Sequence, residues 1–131
     1  MDVLTALSRL YDRFGREYRP FEIVFSEGET GNDMYFVVGG SVEVIRTADQ
    51  PAGKDAVVLA RPDVGDFFGE MSMLLGEPRS ATVRAGEVGA RVVRFSPGNF
   101  DLIVKLQPQV AVQMLRTLAQ RLRATSLRIA K

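Results

Sequence analysis

The chain has 131 residues, of which 46% are hydrophobic, and this is enough for one domain with its own core. It contains neither cysteine nor histidine, which excludes disulfides, zinc–thiolate sites, imidazole catalysis and cysteine nucleophiles. No apolar run approaches the length of about 18 residues that a membrane span needs, and no secretory leader pattern follows Met1. We therefore expect no membrane association and a cytoplasmic location.

The net charge of +1 is unevenly distributed along the chain. Six of the 17 basic residues and none of the 16 acidic residues lie between Lys105 and Lys131. Such a basic tail indicates either a nucleic-acid or acidic partner, or simply a solvated helix face. The tail has no interleaved aromatic residues and no recognition-helix pattern, so direct nucleic-acid binding is not predicted.

The first predicted element is an amphipathic helix over residues 1–15. Val3, Leu7, Leu10 and Phe14 recur at spacings of four, three and four residues, which is the period of one helix face.

Residues 18–95 are predicted to form a β-roll. Short β-rich runs alternate with clusters of turn-forming residues, and glycines stand at the corners. Gly39–Gly40 predicts a tight hairpin, and Gly86–Gly89 predicts a second turn between strands. The β-rich runs are FEIVF (21–25), MYFVV (34–38), SVEVI (41–45), AVVLA (56–60), ATVRA (81–85) and ARVVRF (90–95).

Residues 97–131 are predicted to form two helices. Ser96 followed by Pro97 is typical of a helix start, and Pro108 opens a second, longer helix. Apolar residues of that helix alternate at spacings of four and three, so the helix either packs on its own β-roll or pairs with a second copy in a parallel dimer. The residues of this seam are Ala111, Leu115, Leu118, Leu122, Thr125 and Ile129.

The most informative stretch is FGEMSMLLGEPRSATV, residues 68–83, which we call the cassette. It places Glu70 nine residues before Arg79, with small residues beside both. A carboxylate accepts hydrogen bonds from sugar hydroxyls, and a guanidinium binds phosphate through two parallel hydrogen bonds. A short helix start and small residues would also let backbone N–H groups approach an anion. The pattern favours a nucleotide site, and its alternative is a surface ion pair on a turn.

The cassette resembles the phosphate-binding cassette of the cyclic nucleotide-binding domain family. Every position of that family's pattern, G-E followed by a short run and P-R-[ST]-A-[TS]-V, is present at residues 69–83. The run YFVVGGSVEV (35–44) resembles the family's glycine hairpin. The resemblance covers nearly the whole chain and implies a single α+β domain over residues 1–131. Its fold would be mainly β, a jelly-roll-like double-stranded β-helix flanked by one N-terminal and two C-terminal helices.

The resemblance also implies a role for individual residues. Arg79 would bind the cyclic phosphate, Glu70 would accept from the ribose 2′-hydroxyl, and Arg121 would pair with that glutamate. Val83 and Leu59 are candidate walls of the site. The order of the elements resembles that of the ligand domain of bacterial catabolite activator proteins, in which a Thr-Ser pair reaches the purine. The implied ligand-binding residues are Gly69, Glu70, Met71, Ser72, Arg79, Ser80, Ala81, Thr82, Val83, Leu59, Arg121, Thr125 and Ser126.

The expected function is therefore a non-enzymatic cyclic nucleotide sensor that requires no cofactor. Thr125–Ser126 favours cAMP over cGMP, although a hydroxyl residue after the arginine, here Ser80, also occurs in members that prefer cGMP. Ligand binding would rearrange helix 108–131 or promote homodimerisation through it. Two alternatives stay open: the ligand-binding part of a transcription regulator without its DNA-binding domain, and an interaction module that keeps the fold without a nucleotide.

Overall fold

The computed structural model describes residues 2–46 and 56–130, with side chains as far as Ser126. The side chain of Ile129, predicted in the helix seam, lies outside this part. The helices are α1 (Val3–Phe14), α2 (Glu70–Leu75), α3 (Pro97–Leu106) and α4 (Pro108–Ala130). The strands are β1 (Gly15–Tyr18), β2 (Ile23–Phe25), β3 (Met34–Ile45), β4 (Val58–Ala60), β5 (Phe67–Phe68) and β6 (Thr82–Phe95).

Helix α1 forms where the sequence predicts it. Asp2 caps its start, because the Asp2 carboxylate accepts a hydrogen bond of 2.8 Å from the backbone N–H of Thr5. Leu7 and Leu10 are buried on its inner face. The helix ends at Phe14, and the chain passes directly into β1, which the sequence did not predict as a strand.

Two long antiparallel strands, β3 and β6, form the centre of the sheet. The strand order is β1-β6-β3-β4, with β2 paired to β6 and β5 paired to β3. Because side chains alternate along a strand, β3 contributes to two separate cores. Phe36 packs in the cluster shared with α1, α3 and α4, whereas Tyr35 and Val37 pack inside the roll. The predicted α+β, mainly-β architecture with one N-terminal and two C-terminal helices is confirmed.

The predicted hairpin at Gly39–Gly40 is wrong, because both halves of β3 run antiparallel to the same strand β6. The register between them shifts instead: Gly40 faces Ala90, whereas Val42 faces Ala85. Gly40 and Gly89 have φ values of 64° and 79°, and a Cβ at Gly40 would lie 2.1 Å from the carbonyl oxygen of Gly89. These glycines therefore permit a bulged contact between two strands rather than a reversal of the chain.

The C-terminal helices begin as predicted. The side chain of Asn99 accepts a hydrogen bond from the backbone N–H of Ser96 at the start of α3, with Pro97 as its first residue. Val110 and Met114 of α4 are buried against the core that α1 also contributes to. No helix in the described ranges is both long and apolar enough to cross a bilayer.

The predicted seam on α4 is divided between two faces. Leu118 packs against the domain's own core. Leu115 and Leu122 are 69% and 68% exposed. The expectation that all six residues lie on one contact line is therefore wrong for Leu118, because the inner face of α4 follows Val110 and Met114.

Candidate functional site

A cavity of about 280 Å³ opens between the cassette, the adjoining strands and α4. Its walls combine residues that the sequence predicted with apolar residues that it did not. The predicted residues are Gly69, Glu70, Met71, Ser72, Arg79, Ser80, Ala81, Val83 and Arg121. The residues not predicted are Phe25, Val44, Ala60, Pro62, Phe67 and Phe68.

Arg79 lies in the second half of the cassette, and its side chain is buried, with 5% of the residue exposed. Its Nη1 donates to the carbonyl oxygens of Asp33, at 2.8 Å, and of Gly69, at 3.2 Å. Its guanidinium carbon lies 4.1 Å from the centre of the Phe25 ring. No carboxylate of the described residues forms an ion pair with it. A buried cation held only by carbonyls and a ring keeps its capacity for an anion.

Glu70 is the first residue of α2 and is 8% exposed. Gly69 precedes it with φ 81°, a left-handed conformation that turns the chain from β5 into the helix. The sequence prediction of a short helix start within the cassette is therefore confirmed. Glu70, at the start of α2, and Arg79, in the turn after this helix, both line the cavity.

Arg121 connects α4 to the cassette. Its Nη1 lies 3.4 Å from Oε1 of Glu70, and its Nη2 donates to the carbonyl oxygen of Phe67 at 3.0 Å. Its guanidinium carbon also lies 4.5 Å from the centre of the Phe67 ring. The side chain is 44% exposed, so it closes one edge of the cavity rather than belonging to the core.

The cavity therefore presents two guanidinium groups and one carboxylate within mostly apolar walls. This arrangement suits a small ligand that carries one anionic group and hydroxyl groups. The described ranges contain no cluster of three acidic, histidine or cysteine residues that could hold a metal ion.

Four predicted residues lie outside the cavity wall. Leu59 is 50% exposed, since its strand neighbour Ala60 takes the inward position. Thr82 is buried behind the wall, where its hydroxyl accepts a hydrogen bond of 2.9 Å from the backbone N–H of Glu27. Thr125 and Ser126 are exposed on α4, and the Thr125 hydroxyl donates to the carbonyl oxygen of Arg121 at 3.1 Å.

The residues missed from the sequence are strand or turn residues without a chemical signature. For Phe67 and Phe68 the available sequence signal is their position directly before the cassette glycine. In the structure their side chains point to opposite faces of β5. Phe25 stands immediately before the turn that reaches Arg79.

Comparison with known proteins yields a family and several similar chains. The family described as the cyclic nucleotide-binding domain matches residues 15–106. The cAMP-dependent protein kinase regulatory subunit of Mycosarcoma maydis is 37% identical over 93 residues, which cover 68% of this chain and 17% of that protein. The cAMP-activated global transcriptional regulator CRP of Salmonella typhimurium is 30% identical over 111 residues, which cover 84% of this chain and 51% of that protein.

Among solved structures, the catabolite activator protein of Thermus thermophilus superposes with a TM-score of 0.72 at 28% identity. The superposition covers 97% of this chain and 55% of that one. The chain thus spans about half, or less, of the length of these relatives, and it has the same fold as their matching domains.

Proposed function

The chain belongs to the cyclic nucleotide-binding domain family, and on that premise we propose that it binds cAMP, more tightly than cGMP, in the cavity lined by the cassette. The chain would act as one regulatory domain that senses the nucleotide and performs no chemistry on it.

The observation that carries this proposal is the state of Arg79. A guanidinium buried without a carboxylate partner is costly unless a ligand supplies the negative charge. Nε and Nη2 donate to no described residue, so these donors are available to a phosphate. A cyclic nucleotide brings one negative charge, which one guanidinium neutralises. Ser80 stands beside it as a further donor.

Glu70 and Arg121 support a sugar-binding role for the other end of the cavity. Glu70 can accept a hydrogen bond from the 2′-hydroxyl, while Arg121 offsets the repulsion between that carboxylate and the phosphate. The apolar residues Val44, Val83 and Ala60 provide surface for the ribose and base.

Calorimetric titration of the chain with cAMP and with cGMP tests the proposal. We expect one site per chain and tighter binding of cAMP. Binding of neither nucleotide would contradict the proposal and favour an interaction module with the same fold. Tighter binding of cGMP would overturn only the base preference.

We also propose that the ligand acts on α4 and on dimerisation. Arg121 belongs to α4 and contacts Glu70, so a ligand that engages Glu70 changes a contact that holds this helix. The exposed face of α4 carries a stripe at alternating spacings of three and four, which suits a parallel pair of helices. The stripe consists of Val112, Leu115, Ala119, Leu122 and Ser126.

If ligand binds the dimer more tightly than the monomer, it strengthens dimerisation by the same factor. Sedimentation with and without cAMP measures this linkage, and we expect a dimer that tightens with ligand. A monomer at saturating ligand and high protein concentration would contradict dimerisation and favour α4 as a lid on its own domain.

A further inference from the structure

The guanidinium of Arg79 is enclosed on several sides by groups that leave it little freedom. The backbone of Arg79 is fixed by two hydrogen bonds to the turn at 26–31, from its N–H to the carbonyl of Glu29 and from the N–H of Gly28 to its carbonyl. Asp33 and Gly69 hold Nη1 through their carbonyl oxygens. Hydrogen bonds thus hold both the backbone of Arg79 and its guanidinium in place.

Gly31 lies beside the Nε–Nη2 edge of the guanidinium. A Cβ at this position would lie 2.8 Å from Nη2, 2.9 Å from Nε and 3.1 Å from Cζ of Arg79. Gly31 does not have a positive φ, so its backbone conformation would accept alanine. A larger residue here is therefore opposed by space rather than by backbone conformation, because the guanidinium or the turn would have to shift.

Phe25 limits how the guanidinium could move away from such a methyl group. Its ring centre lies 4.1 Å from Cζ of Arg79. The ring is 7% exposed and packs against Tyr35 and Phe68, with centroid distances of 6.1 and 5.9 Å, so it cannot swing aside without disturbing the inner core.

We infer that Phe25 and Gly31 are positioning residues for Arg79, and that phenylalanine at position 25 makes glycine necessary at position 31. The effect on ligand rests on the proposed phosphate-binding role of Arg79. A methyl at position 31 would press on the Nε–Nη2 edge of the guanidinium and displace it from its position between the Phe25 ring and the Asp33 and Gly69 carbonyls. A smaller side chain at position 25 would give the guanidinium room to accommodate that methyl.

A double-mutant cycle tests this coupling. Affinity for cAMP is measured for the wild type, Gly31→Ala, Phe25→Leu and the double variant. We expect Gly31→Ala to weaken binding about tenfold, as overpacking of a rigid site does. In the Phe25→Leu background the same change should weaken binding less than about threefold.

Gly98→Ala is the matched control: apart from its chain neighbours and its own helix backbone, the nearest atom of the described residues to its added Cβ is the Ser96 hydroxyl at 3.9 Å. It should bind as the wild type does. Thermal unfolding confirms that each variant is folded, and Phe25→Met replaces Phe25→Leu if the latter does not fold. Wild-type affinity in Gly31→Ala, or an equal loss in both backgrounds, would overturn the inference.

A ligand-free measurement separates this inference from the proposed function. The Nε–Hε nuclear magnetic resonance signal of Arg79 is assigned by its loss in Arg79→Leu. Gly31→Ala should shift this signal strongly in the wild-type background and weakly with Phe25→Leu. If the wild type bound no cyclic nucleotide, the proposed function would fail, yet this pattern of shifts would still support the coupling. Equal shifts or no shift would overturn it.

Discussion

Arg79 and Arg84 are five residues apart and almost equally buried, at 5% and 3% exposure, but their surroundings differ. Arg84 donates to a carboxylate oxygen of Glu43 at 2.9 Å, and Glu43 also pairs with the exposed Arg61 at 3.5 Å. Arg79 has carbonyl oxygens and a ring but no carboxylate partner in the described ranges. Burial alone thus does not distinguish a structural arginine from one suited to a ligand, whereas the absence of a countercharge beside a cavity does.

Arg79→Leu should give the largest effect on ligand binding. We expect affinity for cAMP to fall at least about a hundredfold, because the phosphate would be buried without its cation. The ligand-free free energy of unfolding should change by less than about 2 kcal/mol, since two lost hydrogen bonds are offset by removing a buried, uncompensated charge. Calorimetry and denaturant unfolding measure the two quantities. Normal binding by this variant would disprove the phosphate-binding role.

Arg84→Leu should show the opposite behaviour. Removing one partner of a buried ion pair costs about 3 kcal/mol in the free energy of unfolding, here at the low end of the usual range because Arg61 still contacts Glu43. Affinity for cAMP should change by less than about threefold in the folded protein. A loss of affinity as large as that of Arg79→Leu, at unchanged stability, would show that the comparison between these arginines is mistaken.

Glu70→Ala should weaken binding by about 1–3 kcal/mol, less than the loss of Arg79, because one charged hydrogen-bond acceptor is removed while the phosphate keeps its cation. Glu77→Ala changes an exposed carboxylate in the same cassette and serves as the matched control. Equal affinities of the two variants for cAMP would contradict a role for Glu70 in ligand binding.

Leu115→Arg tests whether the exposed face of α4 forms the dimer contact. A new charge in the exposed stripe should weaken dimerisation by repulsion across the helix pair, with little effect on the stability of the monomer. Gln120→Arg adds the same charge at an exposed position outside that stripe and is the control. Leu118→Arg is less suitable, because Leu118 is partly buried against the domain's own core and its replacement would also affect the stability of the monomer. Sedimentation that shows equal dimerisation of Leu115→Arg and wild type would contradict the proposed contact.

The smallest expected effect concerns DNA. Arg79 and Arg84 are buried and cannot contact a phosphate backbone, whereas Arg116 and Arg123 of α4 are exposed. We expect no sequence-specific duplex binding, and any weak binding should decrease steeply as salt rises. A defined footprint that persists at high salt would contradict this expectation.

The sequence alone predicts most of the site's polar residues but little of its wall. Glu70 and Arg79 are recognisable because their spacing and small neighbours are distinctive. Phe25, Val44 and Ala60 are not, since an apolar strand residue looks the same whether it faces a core or a cavity. The same limit explains the error on α4, where Leu118 and Leu115 fit one repeat in sequence but lie on different faces.

The hairpin error has a related cause. A pair of glycines indicates either an unusual backbone conformation or a close contact with a neighbouring chain segment. The sequence does not say which of the two applies. Gly40 needs both, because it combines positive φ with close contact to Gly89. The pairing of both halves of β3 with β6 shows that the chain does not reverse at these glycines.

The contact between Gly40 and Gly89 also restricts how this protein can evolve. A Cβ at Gly40 would meet the Gly89 carbonyl, and a Cβ at Gly89 would lie 2.7 Å from the carbonyl of Tyr18. Each obstacle is main chain, so replacing a neighbouring side chain cannot relieve it, and a saturation mutagenesis screen should recover only glycine at both positions. The cavity lies in another part of the roll, so its walls can change under selection for new ligands while this crossing of three strands stays constant.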